Sequence, residues 1–150
     1  MNGYPKLFLK LLMLTFAVLW LSGILLYPSM AVFKLEWEYD WLMDSGLASG
    51  SIRQTFTTLH AIAGWLMVWF IGTLWTIHLR THWRRYENRK SGSLFSFSWL
   101  ILTLSALGIY YFGNQEMSYL STLIHALVGL IMPLLLVQHV MTGRKVIGKR

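Results

Sequence analysis

The chain has 150 residues, of which 55% are apolar and only 13% are charged, with a net charge of +7 at neutral pH. Soluble domains carry about 25% charged residues, so this composition indicates a membrane protein. The length suits one compact domain and leaves no room for a separate soluble catalytic domain. Because there are no cysteines, disulfides, cysteine-ligated iron–sulfur clusters and covalent haem attachment through C-x-x-C-H are excluded.

Four runs of the sequence are long and apolar enough to cross the hydrocarbon core, which takes about 20 residues of helix. They extend over about residues 7–27, 55–79, 94–112 and 119–141. Lys10 is the one charged residue inside them, and it can reach the interface from the first turn. We therefore predict an all-α, integral membrane bundle of four transmembrane helices that forms a single domain over residues 1–150.

The distribution of charge indicates the orientation of these spans. Eleven of the thirteen Lys and Arg residues lie before or in the first turn of the first span, between spans two and three, or after span four. Basic residues accumulate on the cytoplasmic side, so we expect both termini to be cytoplasmic and the protein to lie in a bacterial inner membrane. The charge is thereby explained without nucleic acid as a partner.

The loop between spans one and two, residues 28–54, contains most of the acidic residues. Over Leu35–Trp41 it alternates apolar and acidic side chains. This pattern favours an extended or interfacial segment whose aromatic rings face the lipid headgroups. The alternative is an acidic dock for a periplasmic redox protein.

An internal repeat marks spans two and four. The segments Leu59–Gly64 and Ile124–Gly129 both read apolar–His–Ala–apolar–small–Gly. His and Gly are four residues apart in each, so they share a helix face. The glycine either leaves an open patch against which a flat macrocycle can lie or allows close helix packing.

Each of these spans carries a second histidine on the same face. His78 follows His60 by 18 residues, and His139 follows His125 by 14. The rises along the helices are about 27 and 21 Å. We expect His60 and His125, the first pair, to meet near the outer surface, and His78 and His139, the second pair, near the inner one. His82 is the alternative to His78, but it widens the mismatch between the rises from about 6 to about 12 Å.

Paired histidines without intramembrane carboxylates or cysteines favour haem iron over zinc or a proton relay. Bis-histidine ligation fills both axial positions, which favours electron transfer over catalysis. We expect two b-type haems, held by the first and the second pair, with a single haem as the alternative. Arg53 on the outer side, and Arg80 or Arg144 on the inner side, are candidate partners for haem propionates.

The region from Thr57 to Arg144 resembles the bacterial membrane di-haem b-type cytochromes. These include the four-helix electron-transfer subunits of the formate dehydrogenase and hydrogenase type and the flavinylation-associated cytochromes. The resemblance rests on His60-Ala-Ile-Ala-Gly64, His78 with Arg80, His125-Ala-Leu-Val-Gly129, and residues 133–143. The 14-residue spacing is also that of the large cytochrome b of respiratory bc complexes, from which the 18-residue spacing departs.

The resemblance implies electron passage between the quinone pool or a cytoplasmic-side donor and a periplasmic redox protein. We therefore predict a non-catalytic electron-transfer subunit that works with a separate dehydrogenase or reductase. The alternatives are a single-haem anchor subunit, a non-redox scaffold or transporter whose histidines only hydrogen-bond between helices, and a quinone-oxidising enzyme.

Overall fold

A computed structural model of the chain describes residues 4–37, 39–44, 46–75, 80 and 89–147. These ranges contain helices and loops and no strand, so the all-α prediction is confirmed for them. The helices are α1 (Lys6–Leu25), α2 (Tyr27–Phe33), α3 (Asp40–Asp44), α4 (Gly50–Leu74), α5 (Arg89–Tyr111) and α6 (Gln115–Ile147).

Four of these helices, α1, α4, α5 and α6, are long and apolar enough to cross a membrane by length and composition. They correspond to the four predicted spans. Three of them extend beyond the apolar run that predicted them: α4 begins at Gly50, α5 at Arg89, and α6 runs through Pro133 to Ile147. Polar residues at the ends continue a helix because its backbone hydrogen bonds do not depend on an apolar side chain.

The loop after α1 is more helical than the sequence pattern predicted. Pro28 lies in the first turn of α2, where its fixed φ suits a helix start. The extended segment was expected over Leu35–Trp41, but Asp40 and Trp41 belong to α3. Between the two short helices Glu36 adopts a positive φ of 55°, and this left-handed residue turns the backbone.

The chain folds as two compact units, Met1–Phe70 and Ile71–Arg150. In the first unit α1 packs against α4, and the rings of Phe8 and Phe70 meet edge to face with centroids 5.3 Å apart. In the second unit α5 and α6 form a helical hairpin. Asn114 caps α6, since its Oδ1 accepts a 3.1 Å hydrogen bond from the backbone N–H of Met117.

Close packing of the α5–α6 hairpin depends on Gly108. A Cβ at this position would press on the Oγ of Ser121, and it would lie 2.9 Å from Phe112 Cε2 and 3.0 Å from Ser121 Cβ. The Cβ of Ser121 is fixed to the α6 backbone, so the helices themselves would have to separate. Small residues at such crossings let the backbones of membrane helices approach closely.

We expect Gly108→Ala to lower the thermal stability of the detergent-solubilised protein, because overpacking costs about 1–3 kcal/mol. The matched control is Gly72→Ala in α4, where an added Cβ meets no atom within 4 Å in the described part of the chain. That variant should be neutral or stabilised, since alanine favours a helix over glycine by about 1 kcal/mol. Equal melting temperatures for the two variants would contradict the tight crossing.

Candidate cofactor-binding histidines

His60 projects from α4 onto α1 within the first unit. Its ring Nδ1 lies 3.0 Å from the carbonyl oxygen of Leu19 and 3.1 Å from the Oγ of Ser22. Ser22 is buried, with 2% of its surface exposed, and its hydroxyl donates a 3.0 Å hydrogen bond to the same Leu19 carbonyl. One ring nitrogen therefore faces two oxygens of a single turn of α1.

The space for the His60 ring is provided by Gly23. A Cβ on Gly23 would lie 3.0 Å from His60 Cε1 and 3.4 Å from His60 Nδ1. One turn beyond His60, a Cβ on Gly64 would lie 3.8 Å from Leu19 Cδ1. The predicted glycine of the repeat thus faces the leucine whose carbonyl contacts the histidine, and its role beside a macrocycle stays a prediction.

His125 has the same surroundings within the second unit. Its Nδ1 lies 3.0 Å from the carbonyl oxygen of Leu102 on α5 and 3.1 Å from the Oγ of Ser105. Ser105 is buried, and its hydroxyl donates to the carbonyl of Ile101 at 2.7 Å. A Cβ on Gly129 would lie 3.8 Å from Leu102 Cδ2, the same distance as from a Cβ on Gly64 to Leu19 Cδ1.

The two histidines also occupy the same place along their helices. His60 is the tenth residue after Gly50, which begins α4, and His125 is the tenth after Gln115, which begins α6. This equal distance from the helix start is a feature of each helix by itself, and the matched depth of the two histidines stays a prediction.

The serines and leucines that hold the histidines were not among the predicted site residues. Neither type is a usual ligand of haem iron, and both are common in apolar helices. A signal was nevertheless present: the pattern Leu-x-Leu-Ser occurs at Leu19–Ser22 and at Leu102–Ser105. Each copy precedes a His-x-x-x-Gly segment, so the sequence repeat covers both helices of each packed pair.

These contacts define which nitrogen carries the proton. A carbonyl oxygen accepts hydrogen bonds and cannot donate one, and each serine hydroxyl already donates to a backbone carbonyl. Nδ1 of His60 and of His125 must therefore be the donor. In a neutral imidazole this places the remaining lone pair on Nε2, which is the tautomer that binds iron through Nε2.

His139 on α6 has a different environment. Its Nδ1 lies 3.2 Å from the Oγ of Ser91 on α5, and its ring stacks on Phe95 with centroids 5.4 Å apart and planes 8° from parallel. A hydroxyl can donate or accept, so this contact does not select a tautomer. His78, its predicted partner, and the alternative His82 lie outside the described residues, and the second pair stays a prediction.

The arginines proposed as propionate partners are on the surface. Arg53 places its guanidinium carbon 4.9 Å from the centroid of the Phe33 ring, a cation–π contact. Arg80 is exposed. Their propionate role stays a prediction.

Within the described ranges, no three His, Cys, Asp or Glu side chains come together as a metal-binding group. A haem iron takes two axial ligands from the protein, so this finding concerns polydentate centres of the zinc type. No protein-family model, curated protein or solved structure matches the chain. The resemblance to di-haem cytochromes accordingly stays a prediction.

Proposed function

We propose that the protein is a b-type membrane cytochrome that carries electrons across the bacterial inner membrane. The observation that carries the proposal is the anchoring of Nδ1 in His60 and in His125 by a leucine carbonyl and a buried serine. Histidines that ligate metals almost always donate their other ring N–H in this way. The same anchoring occurs once in each unit, which supports a matched pair of ligands.

The proposed ligands are His60 and His125 for one haem and His78 and His139 for the other. Haem b, when bound, supplies a one-electron ferric–ferrous couple. If two of these imidazoles held the iron, oxygen and substrates would have no open site on it, which would favour electron transfer over catalysis. Gly64 and Gly129 stay the proposed cofactor-binding glycines, where a flat macrocycle could lie against the helix.

A buried donor on α1 also supports a bound group. Trp20 follows Leu19 directly, and its indole Nε1 is buried with no hydrogen-bond partner in the described part of the chain. Buried polar groups are nearly always hydrogen-bonded. A carboxylate or carbonyl of a cofactor would satisfy this N–H, and we propose that Trp20, with Arg53 and Arg80, contributes to holding haem propionates.

Insertion into the membrane is supported by the surfaces of the long helices. Large apolar side chains are exposed on them, including Trp65 at 76% and Leu134 at 70%. Exposed apolar patches of this extent mark contact with lipid or protein. With the basic residues taken as cytoplasmic, both termini lie inside. The proposed partners are a quinone or a cytoplasmic-side donor, and a periplasmic redox protein or a dehydrogenase or reductase subunit.

A second candidate is a non-redox scaffold in which the histidines only hold helices together. The hydrogen bonds of His60 to α1 and of His125 to α5 favour this reading as well, because each joins two helices. The two candidates differ in what Nε2 does. Only the cytochrome uses that nitrogen as a ligand to iron, so the haem content of the protein separates them.

Electron transfer across vesicles tests the proposed function. Protein purified from haem-replete cells is reconstituted into liposomes with trapped ferricyanide, and dithionite, which does not cross the bilayer, is added outside. We expect ferricyanide to be reduced at least roughly tenfold faster than in protein-free vesicles, since bilayer hydrocarbon excludes both ions. A rate equal to that of protein-free vesicles, with a trapped dye showing the vesicles intact, would overturn the proposal.

A further inference from the structure

The buried serines Ser22 and Ser105 have a chemical relation to the histidines that packing alone does not require. Each lies three residues after the leucine whose carbonyl contacts the ring, so one helical turn presents a carbonyl oxygen and a hydroxyl oxygen together. Each hydroxyl proton is engaged by a backbone carbonyl. Because this proton is already used, the hydroxyl oxygen can only accept a hydrogen bond from the histidine ring.

We propose that Ser22 and Ser105 are positioning residues that hold His60 and His125 in the Nδ1-protonated tautomer and make Nε2 a stronger ligand. Two acceptors at one N–H draw its proton away from the ring and increase the electron density on the other nitrogen. This is the effect that partners of ligating histidines have on the basicity of the ligand. The inference rests on the proposed haem ligation for its consequence, but the tautomer belongs to the protein without haem.

His139 provides the internal comparison. Its Nδ1 contacts the hydroxyl of Ser91 at 3.2 Å, and such a contact is compatible with either tautomer. The Leu19 and Leu102 carbonyls therefore select the tautomer of the first pair in a way that the Ser91 contact does not for His139.

The tautomer is measured first, on protein purified without haem and labelled with ¹⁵N in its histidines. We expect two histidine rings with protonated Nδ1 and unprotonated Nε2. In Ser22→Ala the ratio of the Nδ1-protonated to the Nε2-protonated form of His60 should fall roughly fivefold, the equivalent of one hydrogen bond. Ser105→Ala should lower the same ratio for His125 by a similar factor. Two rings protonated on Nε2 in the wild-type protein would overturn the inference, whether or not the protein binds haem.

The consequence is measured on the haem-loaded protein by redox titration and by haem transfer to an acceptor protein. In each alanine variant the first-pair haem should titrate at a more positive potential and bind about 10–100-fold more weakly. Ser22→Thr and Ser105→Thr keep the hydroxyl and should restore both values. The matched control is Ser98→Ala on α5, a buried serine whose hydroxyl donates to the carbonyl of Leu94 at 2.9 Å.

The outcomes separate the two proposals. A wild-type protein that binds no haem refutes the proposed function, while the ¹⁵N spectrum still decides the role of the serines. A di-haem protein whose potentials and haem affinity are the same in Ser22→Ala, Ser105→Ala and Ser98→Ala keeps the function and refutes the role of the serines.

Discussion

His60→Ala and His125→Ala should each reduce the haem content of the purified protein from about two to about one per chain, because a bis-histidine iron needs both axial ligands. The remaining haem, assigned to the second pair, should keep a reduced-minus-oxidised spectrum of the b type. The pyridine haemochrome assay, normalised to protein by amino-acid analysis, measures the change. The double variant should resemble the single ones, since either substitution already removes the same haem.

The matched control for this experiment is Leu127→Ala. Leu127 lies two residues after His125 on α6 and is 56% exposed, so its truncation perturbs the helix without touching the histidine contacts. Its haem content should equal that of the wild type. Full haem content in both histidine variants would show that His60 and His125 are not the ligands.

His139→Ala should remove the other haem and leave the first-pair haem in place. His78→Ala should have the same effect if the preferred pairing is correct, whereas His82→Ala should retain about two haems per chain, because the longer rise to His82 fits His139 less well. Redox titration identifies the haem that is lost. The haem that remains in His139→Ala should be the one whose potential shifts in Ser22→Ala and Ser105→Ala.

This comparison decides whether His78 or His82 is the ligand that pairs with His139. If His82→Ala loses haem and His78→Ala retains about two haems per chain, His82 and not His78 is the ligand. The proposal of two haems would still hold. Retention of about two haems per chain in His139→Ala would instead show that His139 is not a haem ligand, and would refute the second site as proposed. Ser98→Ala again serves as the control for a buried polar substitution on α5.

Much of the helical architecture could be predicted because the requirements for a helix that could span a membrane are simple. A spanning helix needs a long apolar run with its backbone hydrogen bonds satisfied internally, and both features are local in sequence. The bounds were less predictable: Gly50 and Arg89 begin helices although they lie outside the apolar runs. The short helix α2 begins with a proline in its first turn, and apolar periodicity does not report this signal.

The histidines of the site could be predicted, but their supports could not. His60 and His125 stand out because polar rings are costly in an apolar helix. Ser22 and Ser105 do not, since serine is common in membrane helices and bonds to its own backbone there. Their role depends on contacts between residues of different helices. Leu19 and His60 are 41 positions apart in the sequence, and Leu102 and His125 are 23 apart.

Haem stoichiometry in the wild-type protein tests the central claim most directly. Protein purified in mild detergent from haem-replete cells should give about two haems b per chain in the pyridine haemochrome assay, with two components in a redox titration. About one haem per chain would establish the single-haem anchor subunit in its place. A colourless protein without reduced-minus-oxidised haem bands would contradict the account and favour a scaffold in which the histidines only join helices.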